Sequence, residues 1–203
     1  AFTTEDWGAL STAQAAALTS AQIAAIQSQD FVGISTLALS GFSTAGIGAL
    51  NSTQISVLTT AQVQALTSAQ VAAIETSDLA GLSTTQVRAF ETADVAALST
   101  NQLSALSSGQ LTALSSTQVA ALGTTQIAGL NSAQIGSLTT AQIVALSTAQ
   151  VAAIETTDLA GLSTAQMRAF QTADIAAMNT TQIAALSSVQ IGALNSAQIT
   201  ALT

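Results

Sequence analysis

The side chains able to do chemistry are few and nearly all acidic: Glu5 and Asp6, Asp30, then Glu75, Asp78, Glu91 and Asp94, and later Glu155, Asp158 and Asp174. Against these ten acids stand two bases, Arg88 and Arg168, for a formal net charge of −8, and residues 95–154 carry no charge at all. Hard oxygen ligands of this kind suit Ca²⁺. Glu75, Asp78, Glu91 and Asp94, with Glu155, Asp158 and Asp174 in the second half, are therefore the candidate calcium ligands. The simpler expectation is acids at helix starts, where they answer the positive end of the helix dipole. No Asp/Asn/Gly loop of EF-hand type accompanies them.

Other chemistries lack a component. Serine is abundant, but a nucleophilic hydroxyl needs a base, and the chain has neither His nor Lys. Carboxylate pairs could serve as glycosidase acids, yet they stand in repeat register with no irregular loops around them. Without Cys or His there is no thiolate or imidazole metal site and no disulfide. Two arginines cannot follow a phosphate backbone, which excludes nucleic acid as a partner. The composition predicts a chain that is not an enzyme and carries no cofactor.

The mean hydropathy of +0.53 is high, but Ser, Thr and Gln interrupt the apolar residues every few positions. No window reaches the roughly 18 apolar residues of a spanning helix, so no transmembrane segment is expected. The start, Ala1-Phe2-Thr3-Thr4-Glu5-Asp6-Trp7, has neither the positive nor the apolar region of a signal peptide.

What the sequence does have is a period of eight, held in one register throughout. With positions lettered a to h and a at Phe2, Leu10, Leu18 and so on to Leu202, all 26 a residues are Leu, Ile, Phe or Met. Position c is Ser or Thr in all 25 octads, e is Gln or Asp in 23, the exceptions being Ala38 and Gly46, and f is large and apolar except at Ala15. Position h is Ala or Gly apart from Val57 and Ser137. A longer period overlies this one: residues 51–123 resemble 131–203, so that Val71–Leu82 returns as Val151–Leu162. Residues 1–203 read as one array without a domain boundary, locally distorted over residues 31–48, where Gly41, Gly46 and Gly48 dilute the pattern.

One continuous helix would turn its apolar stripe by roughly 80° per octad, so the stripe would face no single partner. The Ser/Thr residues point instead to a helix that restarts in every octad, with a hydroxyl at b or c accepting from orphaned N–H groups. With b as the cap, b and e form a capping box; the strict Ser/Thr at c, and Gln27, Glu75, Glu91, Glu155 and Gln171 at b, favour c. A lone octad cannot fold, since burying two large apolar side chains gains roughly 3–6 kcal/mol while ordering eight residues costs about 8–16 kcal/mol. The expected fold is an all-α solenoid of very short helices around a Leu/Ile/Val core, three or four octads per coil, with small h residues allowing close approach and Gln at e bonding along the stack. The alternative is a β-solenoid with Ser/Thr ladders, which the abundance of Ala and Gln disfavours.

The octads Leu-Ser-Thr-Ala-Gln-Val-Ala-Ala and Leu-Thr-Thr-Ala-Gln-Ile-Val-Ala resemble the repetitive regions of very large bacterial surface or secreted proteins of the adhesin and RTX-associated kind. The Gly/Asp-rich calcium nonapeptides of RTX proteins are absent. The resemblance implies an extracellular or cell-surface spacer, scaffold or adhesive segment, whose partners are neighbouring repeats, copies of itself or another surface component. The array stops in register, as a piece of a longer array would, and end-to-end self-association is expected of it. Regular Ser/Thr rows offer one further reading, an ice-binding face.

Overall fold

The structure, a computed structural model, describes residues 3–202. Among the described residues there is no strand, and each octad contributes one short helix, from Thr4–Gly8 to Ser196–Thr200. The β-solenoid alternative therefore fails: Ala and Gln are good helix formers, and the local capping described below starts a helix each time.

The cap is the b residue, not c. Thr67 accepts from the backbone N–H of Gln70 while the Gln70 Oε1 accepts from that of Thr67 at 2.8 Å, and the same reciprocal box closes at Ser99/Gln102, Asn131/Gln134 and Thr139/Gln142. Two of the five octads with Glu or Gln at b keep the second half of the box, Asp94 Oδ2 accepting from the Glu91 N–H at 2.9 Å and Asp174 Oδ2 from that of Gln171 at 2.9 Å. At Gln27 and Glu75 no side-chain cap bond forms, and Asp30 and Asp78 bond Thr4 and Ser52 of the preceding coil instead. The c residue is the first helical position, and its hydroxyl is engaged across the coil in some octads only. Thr4 and Ser68 donate to Asp30 and Asp94, 26 residues on. Thr12 donates to the Leu37 carbonyl at 3.2 Å, and the other c hydroxyls have no structural explanation as consistent as these.

Many helices end on an extended a residue followed by an extended b residue, as at Leu98 (φ −61°, ψ 137°) and Ser99 (φ −68°, ψ 159°). Two such residues turn the chain through a corner. No described residue has positive φ, so these corners need no regularly placed glycine. The f side chains are the innermost, with Ile55, Val95, Leu103 and Ile143 all 0 % exposed, and the a side chains, Phe42, Phe90 and Phe170 among them, are buried beside them.

The described residues form two compact units, one ending at Leu106 and the other beginning at Ser107, although the octad register crosses this point unbroken. Within each unit the helices that pack on one another are three octads apart: Thr12–Ala16 on Thr36–Gly41 in the first, Ser132–Ser137 on Leu159–Gly161 in the second. Each unit is thus an all-helical solenoid with about three octads to a coil, the lower of the two expected values.

Gln at e staples the coils. Its Oε1 closes the capping box while its Nε2 reaches back to carbonyls 31 and 28 residues earlier, as Gln62 does to Phe31 and Ile34 at 2.6 and 2.8 Å, and Gln142 to Leu111 and Leu114 at 2.9 and 2.8 Å. One buried amide thus satisfies an orphan helix N–H and the unpaired carbonyls of the helix end beneath it.

Among the described residues the first six octads contain no staple. Ala38 and Gly46 replace the glutamine, Asp6 and Asp30 cannot donate when ionised, and Gln14 and Gln22 lie ahead of any coil they could reach. Close backbone approach serves there instead: a Cβ on Gly33 would stand 2.6 Å from the Thr4 carbonyl oxygen, and one on Gly41 2.7 Å from that of Thr12. The distortion expected over 31–48 begins slightly earlier, as a 3₁₀ turn over Ser28–Gly33.

Glycine at h recurs at Gly81, where an added Cβ would meet the Ser52 oxygen at 2.7 Å and the Asp78 oxygen at 3.1 Å. Both are backbone atoms and cannot swing aside. Gly81→Ala should lower stability by about 1–3 kcal/mol. Gly192, where an added Cβ would have nothing within 4 Å, should behave oppositely. Gly192→Ala adds helix propensity in Ser188–Ala193, about 0.5–1 kcal/mol of stabilisation. Denaturant titrations of the two variants should move in opposite directions.

Candidate functional site

The acidic octads obey a rule that reading one residue at a time conceals. Wherever b is Glu or Gln, at Gln27, Glu75, Glu91, Glu155 and Gln171, the residue three positions on is Asp: Asp30, Asp78, Asp94, Asp158 and Asp174. The long side chain has moved from e to b and the short one from b to e. An aspartate can close the box but cannot reach carbonyls four octads back. Gln171 recovers part of the lost staple from its new position, its Nε2 donating to the Val144 carbonyl at 3.2 Å. Glu75, Glu91 and Glu155 carry no amide nitrogen with which to do the same.

These substitutions have a geometric consequence. At Asp78 and Asp158 the next h residue is glycine, and both octads sit tight on the coil before them, Gly81 against Ser52 and Gly161 against the Ser132 oxygen. On the other side an open groove is left towards the coil that follows. Ile74, Glu75, Thr76, Ser99, Asn101 and Gln102 line it in the first unit, and Ile154, Glu155, Thr156, Asn179, Thr181 and Gln182 line its counterpart in the second.

The candidate calcium ligands do not converge. Asp78, Asp94, Asp158 and Asp174 are buried, whereas Glu75, Glu91 and Glu155 are exposed. Asp94 is occupied on both oxygens, by the Ser68 hydroxyl at 2.7 Å and the Glu91 N–H at 2.9 Å. Asp78 is bonded by the Ser52 backbone, and Asp158 by the Ser132 backbone and the Thr157 side chain. Among the described residues no group of three or more acids is placed to hold a metal ion. Arg168 lends its Nε to the Ala193 carbonyl at 3.3 Å. Trp7 is half-buried at f of the first octad.

Burial raises the carboxyls of Asp78 and Asp158 above the ordinary aspartate value, and the neighbouring Glu75 and Glu155 charges add to the rise. Asp174 is raised by burial alone, against the Gln171 backbone bond. A carboxyl whose pKa is higher folded than unfolded binds its proton more tightly in the folded state. Its stabilising effect is complete below the unfolded value and lost as pH rises through the folded one. These three groups should therefore make the thermal midpoint climb as pH falls from neutral towards the ordinary aspartate range. Asp174→Asn should flatten part of that climb in scanning calorimetry; a midpoint that falls steadily over the same interval would contradict it.

No helix among the described residues is long and apolar enough to cross a membrane. The geometry offers an exposed carboxylate beside hydroxyl and amide groups at two equivalent grooves, with no imidazole, thiol or ammonium side chain in the sequence to work with them.

Comparison with known proteins agrees with the repeat geometry. No curated protein matches the chain. The family model of the ALTTAQ repeat matches residues 23–60, 47–73, 71–108, 87–124, 119–148, 151–188 and 167–203. Those six letters run from h to e, which is the small residue of close approach, the apolar corner, the cap, two first-turn residues and the staple. Matched along most of its length by a motif whose every letter has a place in this solenoid, the chain belongs to the ALTTAQ repeat family.

Proposed function

We propose that this array is a non-enzymatic structural module, an extracellular spacer, scaffold or adhesive segment of a larger secreted or surface-displayed bacterial protein, engaging neighbouring repeats, copies of itself or another cell-surface component. One observation carries the reading: the recurring polar side chains are used to build the framework. The b hydroxyls cap, the e amides cap and staple, as at Ser147/Gln150, and the buried aspartates either close boxes, as at Gln171/Asp174, or bond the preceding coil, as Asp30 does at Thr4. Little polar chemistry is left over for a substrate. An antibody raised against the array should stain intact cells that produce the parent protein, or recover it from their medium. Staining that requires permeabilised cells would refute the extracellular assignment.

A second reading draws on the c row. Thr140, Thr164 and Ser188 are exposed, lie three octads apart on one side of their unit, and are not the helix caps. Such a row is a candidate ice-binding face. Measurable thermal hysteresis would support it, and freezing behaviour equal to that of albumin would dismiss it.

A further inference from the structure

Helices three octads apart stack, and in the first unit Thr4–Gly8, Ser28–Gly33, Ser52–Ser56, Thr76–Leu79 and Thr100–Ala105 form one column. The steps down this column alternate between closed and open. A Cβ added to Gly33 would stand 2.6 Å from the Thr4 oxygen, and one added to Gly81 2.7 Å from the Ser52 oxygen, which closes the first step and the third. At the second step a groove of about 300 Å³ separates Ile26 and Ser28 from Thr53, and at the fourth a groove of about 640 Å³ separates Glu75 and Thr76 from Asn101. The second unit shows one such pair of steps. Gly161 lies against the Ser132 backbone, and a groove of about 390 Å³ follows between Glu155 and Thr156 on one side and Thr181 on the other.

Each groove is backed by a buried isoleucine, Ile26, Ile74 or Ile154, and rimmed by polar side chains. Most polar groups of this protein are consumed in caps and staples, but those on the rims are not. The side chains of Glu75, Thr76 and Asn101, and of Glu155, Thr156 and Thr181 in the second unit, form no hydrogen bond among the described residues. Ala is the commonest residue at d, yet the d residue facing each groove is Thr53, Asn101 or Thr181. Ala would serve the helix at least as well.

The rim chemistry restricts the ligand. Hydroxyl and carboxamide groups both donate and accept, and a carboxylate accepts from two donors at once. Anions find no base in any of the three grooves and meet Glu75 or Glu155 in two of them. Cations find no charged side chain in the groove at Thr53. A ligand suited to all three is uncharged and carries closely spaced groups that both donate and accept, which describes a sugar.

We propose that these grooves bind neutral saccharide, a short stretch of glycan in each. Volumes of this size are those of small-ligand pockets, but an open groove buries little of its ligand, so each site binds weakly. The two grooves of the first unit lie on one column two coils apart, roughly 16–20 Å for helices packed 8–10 Å from one another. A glycan long enough to enter both gains by avidity what one groove lacks. This names a ligand for the adhesive option of the structural-module reading and rests on it.

The test is a printed array of neutral, sialylated and sulfated glycans probed with the labelled full chain. Neutral glycans should bind, long ones more strongly than short ones, and anionic ones should not. Thr53→Ala, Asn101→Ala and Thr181→Ala combined strip the exposed d residue from every groove and install the commonest d residue, so the helical circular dichroism should persist while binding falls at least tenfold. Thr85→Ala, Thr117→Ala and Thr125→Ala combined, at exposed d positions that line none of the three grooves, should leave binding within twofold of the parent. Asn101→Ala alone should erase the advantage of long glycans; an advantage that survives it overturns the sharing of one glycan by two grooves. Equal losses in the two triple variants, a preference for anionic glycans, or a parent that binds no glycan overturns the saccharide proposal. The surface assignment is judged separately by cell staining.

Discussion

Replacing Gln142 with glutamate should cost about 3–5 kcal/mol at neutral pH, although the two side chains have nearly the same shape. Gln142 is 1 % exposed. Its oxygen accepts from the Thr139 N–H at 2.7 Å, a role that a carboxylate fills equally well. Its nitrogen donates to the Leu111 and Leu114 carbonyls at 2.9 and 2.8 Å, a role that a carboxylate reverses, placing negative charge against two acceptors away from water. The charged form is thereby disfavoured and the pKa of the new carboxyl rises in the folded state. The loss should be complete above that raised value and recede as pH falls towards the unfolded glutamate value, where the protonated group donates again. Urea titrations of Gln142→Glu and the parent at neutral and mildly acidic pH measure both effects. A loss under about 1 kcal/mol at neutral pH would mean that the staples contribute little.

Ile143→Ala, one residue along, should be comparably severe, at about 2–5 kcal/mol. Ile143 is 0 % exposed at the innermost position of its octad, and each octad supplies only one such side chain and one a residue to the core. Val144 points outward, 47 % exposed, and Val144→Ala should change stability by no more than about 0.5 kcal/mol. Contacts in a solenoid run only between neighbouring coils, so the Ile143 variant should also unfold over a broader denaturant range, part of the array melting before the rest. Equal effects at 143 and 144 would mean that the inner and outer faces are assigned wrongly.

Most of the fold is legible in the sequence because each repeat states its own reasons. Large a and f residues, small h residues and polar b, c and e positions specify a short helix with one buried side and a need for neighbours, and Gln at e announces bonding along the stack. The cap is harder to place, because strict identity at c is a poor measure of a hydroxyl's share in the capping. The b residue varies among Ser, Thr, Asn, Gly, Glu and Gln, and in many octads e supplies the other half of the box, even where b is Gly123. Variation at one position is tolerable when its partner covers for it. The pairing of Glu or Gln at b with Asp at e is present in the sequence and marks five of the octads that lack a glutamine at e. The grooves at Glu75 and Glu155 are not legible there, because their walls come from octads three apart, Ile74 to Thr76 facing Ser99 to Gln102 and Ile154 to Thr156 facing Asn179 to Gln182, which no local pattern encodes.

The staples point one way along the chain. Gln70 and Gln150, like the other stapling glutamines described above, find their acceptors 28 to 31 residues earlier, on backbone already made by the time that glutamine leaves a ribosome or a secretion channel. Each new glutamine therefore docks onto a coil already made, while the carbonyls and c hydroxyls of the newest coil, such as Ser68 with its partner Asp94, wait for the coil that follows. Long-range partners of uniform and modest separation also keep relative contact order falling as octads are added, so a longer array presents no harder search than a short one. Such a protein can change its length by whole octads, through duplication of the kind that relates residues 51–123 to 131–203, without its folding having to be solved again.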